Sequence, residues 1–173
     1  VVHDGQALGK LAKEYGLLYI MDGVTSIGGD EVEVDKWGVD ICITGSQKCL
    51  AGPPGLAMMS VSNEDWNKID KKDKTNYYLN LASYKRALRK KTTPYTPSVS
   101  LIYGLQASLK NVVKEGLQKR VKRHRTLAKA TREACKAMNT QMFSRENVAS
   151  NTVTAIKIPE GITDDDIRGR MKR

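Results

Sequence analysis

The stretch 41–55, "ICITGSQKCLAGPPG", constrains this chain more than any other. Residues 41–44 have the length and composition of a strand buried on both faces, the kind found in parallel sheets. Gly45 and Ser46 end the run, Gly52-Pro53-Pro54-Gly55 stiffens the exit, and Lys48 sits between them. A lysine that only faces water needs no such setting. A lysine that does chemistry has to be held still, partly desolvated and aimed, because burial disfavours the ammonium form and frees the amine. The bare backbone of Gly45 and Ser46 also lets an anion approach their N–H groups. The plain alternative, a surface lysine at a strand end, fits the same residues.

Asp22 weighs against that alternative. It ends another apolar run, "LLYIMD", and is followed by a small-residue loop, "GVTSIGG". Ligands collect at the carboxyl ends of parallel strands, so two such ends offer a carboxylate and a lysine to one cleft. That pair is what pyridoxal 5'-phosphate requires. The carboxylate keeps the pyridine nitrogen protonated, so the ring accepts electrons, and the lysine can form an imine with the aldehyde.

The rest of the chain reads as an α/β layered domain. Ala7, Leu8, Leu11 and Ala12 follow a helical period, with Gly16 as the stop. "DKWGVD" leads into the 41–44 strand, and "LAMMSVS" (56–62) is a third strand candidate, with Asn63 as the N-cap of a helix. Residues 70–98 read as an irregular excursion with one helix near 80–90. Beyond Pro97 a helical pattern runs from about Val99 to Met138, long enough to pass from one domain into another. "NTVTAIKIP" (151–159) alternates as a half-buried strand, and "TDDDIRGRMKR" (163–173) begins a helix with Asp in its first turn, at the positive end of the dipole. The chain opens on a helix without a leading strand and stops inside a helix, which reads as a piece of something larger.

The formal net charge of +10 comes largely from 71–91 and 110–132. In the second stretch the basic residues alternate with Leu105, Leu109, Val112, Val113, Leu117, Val121 and Leu127, a pattern that places the apolar residues in the core and the basic ones in water. A solvated face, or contact with anionic ligands and partner subunits, explains the charge better than a nucleic-acid surface, and no zinc-finger, RRM or KH signature is present. The 173 residues hold Cys42, Cys49 and Cys135 and only His3 and His124, which gives neither a disulfide framework nor a zinc site. Cys49 reads as a packed small residue, Cys42 and Cys135 as core, and Trp37 and Trp66 as packing between helices and sheet. No apolar run has the length of a membrane span. A reducing, cytosol-like compartment is the expectation, with a peroxisome or mitochondrion open in a eukaryote.

"YIMDGVTSIGGDEVEVDKWGVDICITGSQKCLAGPPGLAMMSVS" resembles the cofactor region of class V, fold-type I, pyridoxal-phosphate-dependent aminotransferases, specifically the alanine–glyoxylate and serine–pyruvate group. The likeness continues through "TPYTPSVSLIYGLQASL" and "KRHRTLAKATREA" to "NTVTAIKIPEGI". The resemblance implies an α/β fold in which residues 1–116 are part of the large cofactor-binding domain, with a mainly parallel sheet, and 117–173 begin a small α+β C-terminal domain. It implies that Lys48 bonds the cofactor and shuttles a proton, that Asp22 pairs with the pyridine nitrogen, that Val24 packs on the ring and that Gln47 contacts the phosphate. It also implies a homodimer in which Thr96 reaches the partner's phosphate. A tyrosine that some relatives carry three residues earlier is Thr93 here, with Tyr95 nearby. Ser26 is a weaker candidate near the ring, or a residue that simply lines its turn.

The family's phosphate loop and ring-stacking aromatic belong upstream of Val1, and its substrate-carboxylate arginine belongs downstream of Arg173; neither Arg168 nor Arg170 fits that motif. The implied activity is amino transfer between a small amino acid (alanine or serine) and a small 2-oxo acid (glyoxylate or pyruvate). Cysteine desulfuration is disfavoured by Gln47-Lys48, where that group has His-Lys. A truncated, non-catalytic portion of such an enzyme is a further alternative, and a basic nucleic-acid-binding module rests on charge alone.

Overall fold

The computed structural model describes residues 1–72 and 76–172. Helix α1 (Gly5–Glu14) is capped by Asp4, whose Oδ1 accepts the Ala7 N–H at 2.9 Å, and it packs through Gly5 against the Trp37 ring. Strands β1 (Ile20–Asp22), β2 (Ile41–Gly45) and β3 (Ala57–Val61) form a sheet in that order. The β1–β2 pair is parallel and the β2–β3 pair is antiparallel. The geometry follows from the connections. Residues 23–40 supply a crossover, whereas 46–56 is too short for one and turns the chain straight back.

β1 is shorter than the 17–21 run and is not buried on both faces, since Leu17, Leu18 and Ile20 are exposed. It pairs on one edge only among the described residues. β2 carries the core. Ile41 and Cys42 are buried with Val39 and Leu50, and each such large apolar side chain contributes about 1.5–3 kcal/mol.

Helix α2 (Asn63–Lys72) starts one residue earlier than expected, because Ser62 is its cap. The Ser62 hydroxyl accepts the Asp65 N–H at 3.1 Å and donates to Asp65 Oδ2 at 2.6 Å. Helix α3 (Leu81–Arg89) is the one expected near 80–90; residues 73–75 of that excursion lie outside the described residues. The long helical pattern is two helices, α4 (Val99–Glu115) and α5 (Leu117–Ala137), broken at Gly116, whose φ of 83° a residue with a side chain rarely adopts. The half-buried strand expected over 151–159 is reduced to a bridge between Met142 and Ile156, flanked by backbone bonds from Phe143 to Ala155 and from Lys157 to Gln141. Helix α6 (Asp164–Met171) opens with a capping box between Thr163 and Asp166.

The apolar stripe of the two long helices is not in the core. Leu109, Val113, Leu117 and Leu127 are exposed, and the buried positions of α5 are Arg120, Ala128 and Cys135. Helix α4 packs through Leu101, Gly104, Leu105 and Ser108 onto the turn after β2, and α5 reaches the loops after β1 and β2 through Arg120. Ile102, Leu105, Leu109 and Val113 of α4 line an open groove of about 540 Å³.

Candidate active site

In the parallel ladder Asp22 lies opposite Ile43, so it ends β1 beside the carboxyl-terminal half of β2. Residues paired across a ladder share a face, which puts Ile20, Asp22, Ile43, Gly45, Ala57 and Met59 on one side of the sheet. Asp22 is exposed. Its Oδ1 accepts the Val24 N–H at 2.9 Å, and its Oδ2 takes no hydrogen bond among the described residues. At Gly45 an added Cβ would stand 3.1 Å from Gln47 Oε1 and 3.9 Å from Val24 Cγ1. The Gln47 amide and a Val24 methyl thus converge over bare backbone, with the Asp22 carboxylate beside them.

Lys48 rides on a closed turn. The Ala51 N–H donates to the Lys48 carbonyl at 2.9 Å and the Gly52 N–H to the Ser46 carbonyl at 2.7 Å. Ser46 is fully buried, its hydroxyl donating to Pro53 O at 2.5 Å and accepting the Leu56 N–H at 3.3 Å. Ala51 is held at φ 56°, a conformation that costs a residue with a side chain roughly 1–3 kcal/mol and persists only where its surroundings impose it. Helix α4 is the platform beneath: the Ser108 hydroxyl donates to Leu50 O, and Leu105 and Leu101 press on Gly52 and Gly55. Lys48 itself is exposed, unlike the partly buried amine expected from the strand alone. The turn is packed from beneath by α4, and its outer side stays open.

The loop after Asp22 is equally fixed. The Gly23 N–H donates to Ile43 O at 2.8 Å, and the Ile27 N–H returns to Gly23 O at 2.9 Å. Ser26 directs its hydroxyl to Gly23 O at 3.4 Å and so serves its own turn. Cys49 is half-buried and its thiol donates to Thr25 O at 3.2 Å; burial pushes that thiol up despite the opposing charges of Arg120 and Lys48. Burial first, and the Asp22 charge second, raise the Cys42 thiol. Thr96 stands apart, exposed just before α4, with no hydrogen bond to these residues. Tyr95 is drawn away, its hydroxyl donating to Tyr77 O at 2.5 Å and its ring packed among Tyr77, Tyr78 and Tyr84. The Thr93 hydroxyl donates to Tyr95 O at 2.7 Å.

Arg120 is the residue that sequence reasoning missed. Only 8% exposed, it donates from Nε to Gly28 O at 2.8 Å, from Nη2 to Cys49 O at 2.6 Å and from Nη1 to Glu115 Oε2 at 2.8 Å. Glu115 is also gripped by Arg123, whose Nε donates to Oε1 at 2.6 Å, and these bonds, Arg123's first, hold its carboxyl down at about 2. The one trace in the sequence is a glycine-glutamate pair at the helix break, which would not by itself single out Arg120.

The sequence profile described as aminotransferase class-V matches residues 1–169, and the chain belongs to that family. Over 164 residues it is 53% identical to an uncharacterized aminotransferase of Methanocaldococcus jannaschii, which covers 94% of this chain and 43% of that protein. It is 41% identical to a protein of Anabaena cylindrica named soluble hydrogenase 42 kDa subunit, over 100% of this chain and 45% of that one. To serine–glyoxylate aminotransferase of Arabidopsis thaliana it is 36% identical, over 96% of this chain and 43% of that enzyme. Among solved structures, pyridoxamine–pyruvate aminotransferase from Mesorhizobium loti superposes with a TM-score of 0.90 at 35% identity, covering 95% of this chain and 43% of that one. The fold is therefore that of fold-type I, pyridoxal-phosphate-dependent aminotransferases. The chain spans less than half the length of these relatives.

Class V aminotransferases use pyridoxal 5'-phosphate, and the residues present fit it. A carboxylate with one unengaged oxygen, an aliphatic side chain and an amide lie beside a bare glycine, and the turn of a lysine follows within three residues of it. Among the described residues no helix is long and apolar enough to cross a membrane.

Proposed function

We propose that this chain contributes the lysine and the ring-nitrogen partner to a site for amino transfer between a small amino acid, alanine or serine, and a small 2-oxo acid, glyoxylate or pyruvate. The observation that carries the reading is the convergence of Asp22, Val24, Gln47 and the Lys48 turn at the carboxyl ends of adjacent parallel strands. When bound, the cofactor supplies an electron sink for the pair left on the substrate's α-carbon. Asp22 Oδ2 would hold the proton on the ring nitrogen, while the Val24 N–H pins Oδ1 and so sets the carboxylate's direction. Val24 would cover one ring face and the Gln47 amide would donate to the phosphate. Lys48 would hold the cofactor through its aldehyde and would move the proton off the substrate α-carbon, a role for which a turn closed at the Ser46 and Lys48 carbonyls suits the backbone that carries the amine.

The names of the relatives support the substrate class: serine–glyoxylate in one and pyridoxamine–pyruvate in another. We further propose a homodimer in which Thr96 reaches the partner's cofactor phosphate. Its exposure, and the exposed apolar face of α4 that follows it, support a contact there. The division into 1–116 and 117–173 is likewise proposed, with the break at Gly116 in its favour, and so is a reducing, cytosol-like compartment, which suits three free cysteines. The test is borohydride reduction of the yellow full-length protein, followed by peptide mapping. The cofactor is expected on the peptide carrying Lys48, and a label on another lysine would overturn the assignment.

A further inference from the structure

Two loops form the candidate site, and something has to hold them in register. The loop from Asp22 and the turn of Lys48 meet edge to edge: an added Cβ on Gly28 would stand 2.8 Å from Leu50 Cδ2, and one on Gly29 would stand 2.7 Å from Cys49 Sγ. One neutral bond, from the Cys49 thiol to Thr25 O, joins them directly. The strong tie comes from outside both loops. From α5, Arg120 donates to the carbonyl of Gly28 with one arm of its guanidinium and to the carbonyl of Cys49, the residue next to Lys48, with another. Its third bond goes to Glu115, the last residue of α4, the helix whose Ser108 holds the Leu50 carbonyl. Gly28 has φ 87°, which turns its carbonyl to meet the arginine.

We propose that Arg120 is a positioning residue for Lys48, fixing the direction of its amine relative to Asp22 by clamping the carbonyls of Cys49 and Gly28 together. The inference rests on the reading of Lys48 given above. A buried cation is costly unless it is paired and fully hydrogen-bonded. Here the guanidinium serves as a rigid fork with three separate acceptors, which a lysine cannot be, since its ammonium is a point donor on a flexible stem. Glu115 neutralises the charge, and the partly exposed Arg123 holds Glu115 through bonds that go to that carboxylate and to neither loop. The arrangement fixes orientation as well as stability.

The test uses the full-length protein, with and without cofactor, in Arg120→Lys and in Arg123→Gln as the control that weakens the same ion-pair network. The first readout is amide hydrogen exchange without cofactor. In Arg120→Lys the Ala51 and Gly52 amides, which close the Lys48 turn, are expected to exchange at least ten-fold faster than in wild type, while amides in the middle of α5 keep their rates. The second is the pH midpoint of the absorbance of the cofactor bound through Lys48. It is expected to move by half a unit or more in Arg120→Lys, with kcat falling at least ten-fold, and to stay in place in Arg123→Gln. A folded Arg120→Lys protein with wild-type turn exchange and an unmoved midpoint would overturn the proposal. If Arg120→Lys does not fold, Arg120→Gln carries the test; its neutral amide can reach at most one of the two carbonyls, and a folded Arg120→Gln protein with neither change would overturn the proposal equally. Lys48→Ala, run alongside, separates the two readings. If it keeps the absorbance band, the Lys48 assignment fails first; if it loses the band while Arg120→Lys behaves as wild type, only the clamp fails.

Discussion

The turn that carries Lys48 and the outer face of α4 are built from similar material and end in opposite states. In the turn, nearly every polar backbone group is held: Ser46 bonds Pro53 and Leu56, Ser108 bonds Leu50, Arg120 bonds Cys49, and Gly52 closes on Ser46. On α4, Ile102, Leu109 and Val113 recur at helical spacing and face outward, Val113 at 80% exposure. The first region is ordered by bonds to named atoms. The second is apolar surface on the outside of a folded element, which in a protein usually marks where another surface sits. Bonded backbone is thus concentrated around the candidate site, and the exposed apolar surface lies to one side of it.

The largest expected break is Lys48→Ala in the full-length protein. Removing the amine proposed to bind the aldehyde and move the proton should cut turnover by at least about 10³-fold, within the range that positioned acid–base groups supply. Cofactor can still be retained through its phosphate. Single-turnover kinetics with alanine and glyoxylate check it, and near-wild-type turnover would remove Lys48 from the centre of the site. Asp22→Ala comes next. The lost charge-assisted bond to the ring nitrogen is worth roughly 1.5–3 kcal/mol, or about 10- to 150-fold in rate. Because Asp22 also receives the Val24 N–H, Asp22→Asn is the cleaner variant: it keeps that bond and removes the charge. The two should lose similar activity if the charge is what matters.

Ser46→Ala acts on the frame alone. Its hydroxyl is fully buried between Pro53 O and the Leu56 N–H, and deleting it strands both groups at a cost of about 1–3 kcal/mol in unfolding free energy. Urea denaturation measures this directly. A change below about 0.5 kcal/mol, the level of an ordinary surface substitution, would show that the turn is not bonded as tightly as described.

Much of the Lys48 turn is legible in the sequence, because its signals are local. A short apolar run, the Gly45-Ser46 exit and the Gly-Pro-Pro-Gly brake define a strand end within one short stretch, and β2 spans 41–45 against the 41–44 expected. Asp22 is legible for the same reason. Arg120 is not. Helical periodicity places it on the basic face with Lys119, Lys122 and Arg123, and its burial comes from carbonyls 92 and 71 residues away. The apolar stripe fails in the opposite direction, since amphipathic spacing says which residues share a face but not whether this part of the molecule covers that face. Thr96 and Tyr95 show the same limit at closer range. Adjacent in sequence, one is exposed and the other is drawn into a tyrosine cluster that only the folded 77–95 segment creates.

Acid sharpens the comparison from the side of the clamp. The Glu115 carboxyl is held at about 2, below its ordinary 4.5, first by the bond from Arg123 and then by that from Arg120. A depressed carboxyl contributes stability that is fully present above its unfolded value and is lost as the pH falls through the folded one. The difference in melting temperature between wild type and Glu115→Gln should therefore be constant above about pH 5 and close between about 4.5 and about 2. The effect should be smaller than that of Ser46→Ala, because the Glu115–Arg123 pair is partly solvated and screened. A gap that persists unchanged to pH 2 would assign the stabilisation to something other than this carboxylate.

The smallest expected effect tests the other half of the comparison. Val113 makes its contribution, if any, outside its own chain, so Val113→Ser should leave the unfolding free energy of dilute full-length protein within about 0.5 kcal/mol of wild type. If a second copy covers this face, the same substitution should weaken association, because a large exposed valine becomes a small hydroxyl where apolar contact was needed. Sedimentation velocity across a concentration series reads that shift as a fall in the average mass of the variant at concentrations where the wild type is fully associated. A loss above about 1 kcal/mol in the dilute protein would mean that Val113 is packed within its own chain, and α4 would then resemble the Lys48 turn rather than contrast with it. An unchanged association curve with unchanged stability would leave α4 outside any contact between copies and move the proposed Thr96 contact to another face.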